Sequence, residues 1–254
     1  MEKYYISEPN AQKMYSTKQL ARIAGFLYLL VILTGLFAEI FVRQALRVPG
    51  DASATAHLIQ QSERLYRLGL VADLFNFVCG LPGVLIMYVL FKPVNKYLIS
   101  LAMFFVLIQT AVIATNLLNQ VSPLLLLGHD PYLTAFEPKQ LAALAVHSLN
   151  LQAQGYGIGL VFFGFYCITV GYLILKSQLV PRILGVLYAL AGLSYLANTF
   201  TMLLSKDFAN PLFPYFASVS FIGEISLCLW LLVMGVKDIR NLPFDFITGH
   251  DERH

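Results

Sequence analysis

Apolar residues dominate this sequence in long stretches, and the polar positions inside those stretches recur at helical spacing rather than at random. Six sparsely charged runs, at about 21–42, 68–91, 97–122, 151–175, 182–204 and 212–236, are long enough to cross a hydrocarbon core of about 30 Å. Lipid offers the backbone no hydrogen-bond partners, so each run is expected to be an α-helix. The predicted fold class is therefore all-α: a polytopic integral membrane protein with six transmembrane helices and two helical extensions on the outer side. Short connections give a single six-helix membrane domain over about residues 21–238, with a cytoplasmic N-terminal segment (about 1–20) and a cytoplasmic C-terminal tail (about 239–254).

The two extensions follow from capping chemistry. Residues 51–66, DASATAHLIQQSERLY, open on good N-cap residues and run without Gly or Pro into the second span. Residues 137–149, EPKQLAALAVHSL, do the same before the fourth, with Pro138 at a first-turn position.

Polar positions within the spans form stripes. In the first span Glu39 and Arg43 stand four apart, a spacing that lets them pair on one face. In the second, Tyr66, Gly69, Asp73, Asn76, Gly80 and Gly83 share a stripe, and Pro82 removes a backbone donor mid-span, predicting a kink. Gln109, Asn116, Asn119 and Gln120 give the third span a carboxamide face; His147, Asn150 and Gln154 continue that theme in the fourth. There Gly157, Gly164 and Gly171 then take over at heptad intervals, a helix-packing pattern. The fifth span carries Tyr188, Tyr195 and Asn198 on one face, and the sixth carries Ser220 and Glu224 one turn apart.

Odd-numbered spans run outward and even-numbered spans inward, which places Glu39, Asp73, Asn76, Asn116, Asn119, Asn150, Gln154, Asn198 and Glu224 in the outer half of the membrane, with Gln109 near the middle. A carboxylate at the bilayer centre costs about 2.5–3.5 kcal/mol on insertion scales, so Glu224 in particular must be paired, hydrated or protonated. Carboxamides can serve as hydrogen-bond glue between helices, but glue alone gives no reason to avoid the inner half. The expectation is an outward-facing polar cavity whose ligand-binding residues are Glu39, Arg43, Arg67, Asp73, Asn76, Gln109, Asn116, Asn150, Gln154, Asn198 and Glu224.

Composition agrees with this class: 58% of the 254 residues are hydrophobic and 12% charged, with a mean hydropathy of +0.69. The net charge of +3 says little, but its distribution over the loops is informative. Lys3, Lys13, Lys18, Arg22, Lys92, Lys96, Lys176, Arg182, Lys237, Arg240 and Arg253 flank the ends on the N-terminal side; Arg43, Arg47, Arg64, Arg67, Lys139 and Lys206 flank the other. That bias predicts both termini in the cytoplasm, and the first apolar run is long enough to read as an uncleaved spanning helix. Cys79, Cys167 and Cys228 lie within spans without paired spacing and are expected to be packing residues. His57, His129 and His147 fall near the outer surface, and His250 and His254 in the tail, with no metal-ligand spacing. Metal-protease, nucleophile-elbow and phosphate-loop motifs are absent, so no cofactor, metal or nucleic-acid partner is expected.

An internal echo links the ends of the bundle. ARIAGFLYLL and PRILGVLYAL align Arg22 with Arg182, Gly25 with Gly185 and Tyr28 with Tyr188, and each of these helices is followed by a descending one with an acidic residue, Asp73 or Glu224. The first and last hairpins are therefore read as a parallel repeat. The segments ARIAGFLYLL, AEIFVR, VPGD, RLGLVADL, LFKPVN, HSLNLQAQGYGIGLVFFGFYC, PRILGVLYALAGLSYL and FIGEISLCLWLLVMGVK resemble the bacterial membrane family catalogued as domain of unknown function 4386, over about residues 18–238. The resemblance implies a multi-pass protein of the bacterial cytoplasmic membrane and brings no activity or catalytic residue with it. On the residues themselves, the favoured role is binding of a small polar molecule or lipid headgroup, as a sensor or accessory protein in the lipid bilayer. The alternatives are an intramembrane hydrolase or transferase acting on a lipid, and a small proton-coupled transporter with Glu224 as its coupling residue.

Overall fold

The computed structural model describes residues 16–237, apart from the side chains of residues 206–210. Lys3, Lys13, Arg240, Arg253, His250 and His254 lie outside the described residues, as does the predicted C-terminal tail. Within them the chain is all-α, with helices α1 (Thr17–Leu36), α2 (Ala52–Gln61), α3 (Glu63–Phe91), α4 (Lys96–Leu126), α5 (Pro138–Lys176), α6 (Arg182–Leu204) and α7 (Lys206–Val233). Six helical stretches are long and apolar enough to cross a membrane: Thr17–Gln44, Glu63–Phe91, Lys96–Leu126, Pro138–Lys176, Arg182–Leu204 and Pro211–Val233.

Local sequence explains most of the boundaries. Ser16 and Gln19 form a reciprocal capping box at the start of α1. Asp51 accepts the Ala54 N–H at 2.8 Å to open α2, just after Gly50 turns the chain with φ +80°. Asn95 caps α4 through the Leu98 N–H at 3.0 Å, and α5 begins on Pro138 with the Gln140 side chain accepting the Glu137 N–H at 2.9 Å.

Two departures from the expected elements matter for the site. The first outer extension does not run into the second span: Ser62 leaves helical geometry at φ −114°, ψ 32°, and α2 is a separate helix. Burial explains the break, because Thr55, Ala56 and Ile59 of α2 are drawn down onto the bundle while Gln60 donates to the Leu127 carbonyl at 3.0 Å. The second departure is at the end of α1, which widens into a π-helical segment, Phe37–Gln44. By contrast Pro82 sits inside an unbroken α3, and the second extension is continuous with its span in α5, about 58 Å long.

The six spanning helices form a ring. In the order α1, α3, α4, α5, α6, α7 each packs against the next, and α7 returns to α1; the seam between α3 and α4 is the thinnest. Helix α2 lies across one end, against α5, and defines what is called here the α2 end. Both ends of the described chain meet at the opposite, terminal end, where Gly235 sits against Lys18. A dry core closes that end around Leu90, Phe91, Ile99, Leu173, Leu227 and Leu231.

Backbone approaches fix the ring's tightest seams. A Cβ on Gly171 would lie 2.6 Å from the Gly185 carbonyl oxygen, and one on Gly192 would lie 2.5 Å from that of Gly164, so α5 and α6 touch backbone to backbone. Gly25 does the same for α1 and α7, where a Cβ would collide with the Leu232 backbone nitrogen. The outward faces carry exposed Phe41, Val78, Phe104 and Leu118, as a lipid-facing surface requires.

Candidate functional site

The polar groups inside the ring sort into three sets by what holds them. Interhelical ties form the first. Asn76 donates to the Val31 carbonyl at 2.8 Å and approaches the Thr34 hydroxyl at 3.3 Å, joining α3 to α1. Asn116 donates to the Gln152 carbonyl at 2.7 Å, receives the Asn119 amide at 2.9 Å, and occupies the space that a Cβ on Gly155 would need, joining α4 to α5.

The second set is an ion network near the α2 end. Arg43 donates through Nε to Glu39 at 2.7 Å and through an Nη to Asp73 at 2.8 Å, so one guanidinium bridges two carboxylates on two helices. The wide π-helical turn also lets Gln44 reach the other Glu39 oxygen at 3.1 Å. Asp73 takes a further hydrogen bond from Gln120 Nε2 at 3.2 Å, and Tyr66 donates to the Gln120 carbonyl at 2.7 Å. Arg43 also lies 5.7 Å from the centre of the Tyr156 ring. Farther toward the α2 end, Arg47 donates to Asn150.

The third set is deeper. Glu224 accepts a hydrogen bond from the Tyr195 hydroxyl, and the Tyr28 hydroxyl also approaches its carboxyl group. Tyr28 in turn donates to the Tyr188 hydroxyl at 3.3 Å. Glu224 lies nine residues before the end of α7 at Val233, about 14 Å along the axis from the terminal end; Tyr28 lies about 17 Å from that end on α1. Glu224 is therefore near mid-depth rather than in the half that holds Asp73. Glu224 is already the midpoint of the apolar run 212–236, twelve residues from either end, so the run itself did not require it to lie in the outer half.

A cavity of about 620 Å³ connects the second and third sets. All six spanning helices line it. Glu39, Arg43, Gln44 and Arg47 stand toward the α2 end, Gln109, Gln152, Asn198 and Glu224 lie along its length, and Met87, Val106 and Leu231 form its apolar floor. Its walls are largely aromatic: Tyr28, Tyr156, Phe163, Tyr166, Tyr188 and Tyr195 face it from α1, α5 and α6. These rings pack on one another, with Phe163 5.5 Å from Tyr195 edge-on and Tyr166 6.3 Å from Tyr188. Phe213 and Phe221 of α7 line the cavity yet remain 45% and 43% exposed, because the tight approaches of α1 to α7, at Arg22, Gly25 and Cys228, lie toward the terminal end.

Six of the residues anticipated from sequence line this cavity: Glu39, Arg43, Asn76, Gln109, Asn198 and Glu224. Five others do not. Arg67 pairs with Glu63 at 2.7 Å on an exposed surface. Asp73 is buried behind Arg43, and Asn116 is an interhelical tie. Asn150 does not line the cavity but accepts the Arg47 hydrogen bond at its α2 end, and Gln154 lies two residues, and so about 200°, from both Gln152 and Tyr156, which face inward. A polar stripe on one helix does not say which way the helix is rotated. The aromatic lining was anticipated only in the fifth span, where Tyr188 and Tyr195 share the Asn198 face; Tyr156 and Phe163 of α5 were missed, although they too repeat at seven residues, the spacing of one helix face.

Among the described residues no three His, Cys, Asp or Glu side chains come together to hold a metal ion, and the three cysteines are free and buried. The Cys228 thiol instead donates to the Gly25 carbonyl at 3.4 Å.

The family profile described as "Domain of unknown function (DUF4386)" matches residues 23–235. An uncharacterized protein of the archaeon Archaeoglobus fulgidus is 25% identical over 151 residues, covering 59% of this chain and 74% of that protein. No solved structure matches the chain.

Proposed function

The chain belongs to the DUF4386 family and is a multi-pass membrane protein, and we propose that it binds a small amphipathic molecule, or a lipid through its headgroup, in the cavity between its six helices. The observation that carries this reading is the cavity of about 620 Å³, within the range of small-molecule sites, with an aromatic wall and a few polar groups at fixed positions. A purely polar solute fits that wall poorly; a molecule with an apolar body and one polar group fits both parts.

The half-exposed Phe213 and Phe221 support entry from the α2 end or sideways from the bilayer. The excess of Lys and Arg at the terminal end supports cytoplasmic termini, with the α2 end facing outward from a cytoplasmic membrane. The ring closes on itself, and the one further apolar cluster among the described residues, Val42, Leu46, Ile59 and Tyr66, is shared between α2 and the spanning helices, which favours one membrane domain over about residues 21–238. Binding, in a sensing or accessory role, is favoured over hydrolysis because the Ser220 hydroxyl, one turn from Glu224, donates to the Phe216 carbonyl rather than to the carboxylate, and no three His, Cys, Asp or Glu side chains gather there among the described residues.

Two plugging variants test the reading, since Ala153 and Ala217 both line the cavity with room around them. Ala153→Trp and Ala217→Trp should fold as the parent does and lose amphiphiles or lipids that co-purify with it, read by mass spectrometry of protein in nanodiscs. Identical bound species in parent and variants would remove the reading's support.

A further inference from the structure

We propose that the ligand of this cavity is a lipophilic organic cation, an amine or onium group carrying apolar arms, with Glu224 as its counter-ion. The inference rests on the binding role above and adds the sign of the ligand's charge.

Among the described residues, Glu224 has no lysine, arginine or histidine partner. Its contacts are phenolic: Tyr195 donates to it and Tyr28 approaches it. A lone carboxylate at mid-depth of a membrane bundle is a costly group to keep, and such residues usually face a water-filled space and mark a site. Here the carboxyl faces the cavity and is partly accessible within it.

The two cations that line the cavity are already engaged. Arg43 is held between Glu39 and Asp73 at 2.7 and 2.8 Å, and Arg47 is held by Asn150 near the α2 end. An anionic ligand would have to pull one of them from its partners, whereas a cationic ligand meets Glu224 as it stands. The three carboxylates of this region, Glu39, Asp73 and Glu224, also outnumber its two guanidinium groups.

The walls favour the same sign. Tyr28, Tyr166, Tyr188 and Tyr195 surround the deep part of the cavity, and aromatic faces attract cations through the ring quadrupole. Arg43 over Tyr156 already shows this contact at the upper end. An onium ion with apolar arms would place its charge between Glu224 and the tyrosine rings, and its arms against Met87, Val106 and Leu231.

The test uses the full chain in nanodiscs with two probes of similar shape, tetraphenylphosphonium and the neutral triphenylphosphine oxide, measured by equilibrium dialysis. Saturable binding of the cation at least about 10-fold tighter than of the neutral probe is expected, together with a loss of at least about 30-fold in cation affinity in Glu224→Gln. Tyr195→Phe keeps the carboxylate and should keep the preference for the cation, which guards against a Glu224→Gln variant that fails to fold. Equal affinity for the two probes in the parent protein, or cation binding unchanged in a folded Glu224→Gln, overturns the proposal while leaving an amphiphile-binding cavity standing. If neither probe binds and no amphiphile co-purifies, the binding role itself falls with it.

Discussion

The hydroxyls of Tyr28 and Tyr188 meet at 3.3 Å across the interior of the ring, although 160 residues separate them. They are also the matching positions of the two echoed segments, ARIAGFLYLL and PRILGVLYAL. Each echoed helix thus turns its tyrosine inward at a point where the two hairpins face a common cavity. At this length the hydrogen bond is weak. Tyr28→Phe and Tyr188→Phe should each cost no more than about 1.5 kcal/mol, with a coupling below about 1 kcal/mol in a double-mutant cycle of unfolding in mild detergent.

Arg43 is the element of the upper network whose loss should be felt most. Removing it leaves Glu39 and Asp73 without a cation, and breaking a buried pair from one side costs about 3–5 kcal/mol. Arg43→Leu should therefore lower the thermal midpoint strongly, and adding Asp73→Leu should recover part of the loss. A double variant less stable than Arg43→Leu would contradict the network.

Glycine positions on two helices should respond in opposite ways. Gly171→Leu has to push α5 away from the Gly185 carbonyl and is expected to destabilise by about 3 kcal/mol or more, or to abolish folding. Gly35→Ala should be tolerated, since a Cβ there meets only the Asn76 amide at 3.6 Å. Size-exclusion profiles and thermal scans of the two variants read the difference.

Asn116 is assigned to packing, so Asn116→Ala should lower stability by about 1–2 kcal/mol and leave amphiphile binding unchanged. A selective loss of binding with stability intact would move Asn116 into the site.

The proposed orientation is open to chemical labelling. His57 on α2 and Lys92 after α3 are both exposed, at opposite ends of the bundle. In a cysteine-free background, His57→Cys should react with a membrane-impermeant maleimide in whole cells and Lys92→Cys only after lysis; the reverse pattern would invert the topology.

Six spans and their order were legible in the sequence because hydrocarbon forces the backbone into helices and demands about 20 apolar residues for each. The Glu39 to Arg43 pair was legible for a similar local reason, its spacing of four. Asp73, the third member, belongs to another helix, and nothing local in either segment names that partner. The break at Ser62 and the π-helical widening at Phe37–Gln44 left no Gly or Pro signal, since both follow from tertiary packing. Rotation of α5 was the costliest unknown: Gln154 is as polar as Gln152 but lies about 200° away on the same helix, and only packing against α4 and α6 decides which of the two faces inward.

The central claim is a ligand-accessible space that reaches Glu224 at mid-depth. Glu224→Cys in a background lacking Cys79, Cys167 and Cys228 tests it most directly, with a small methanethiosulfonate amine added to protein in nanodiscs. The account predicts rapid modification that Ala217→Trp slows sharply. A Glu224→Cys thiol that stays unreactive in a folded protein, or one modified equally fast behind the tryptophan, would contradict it.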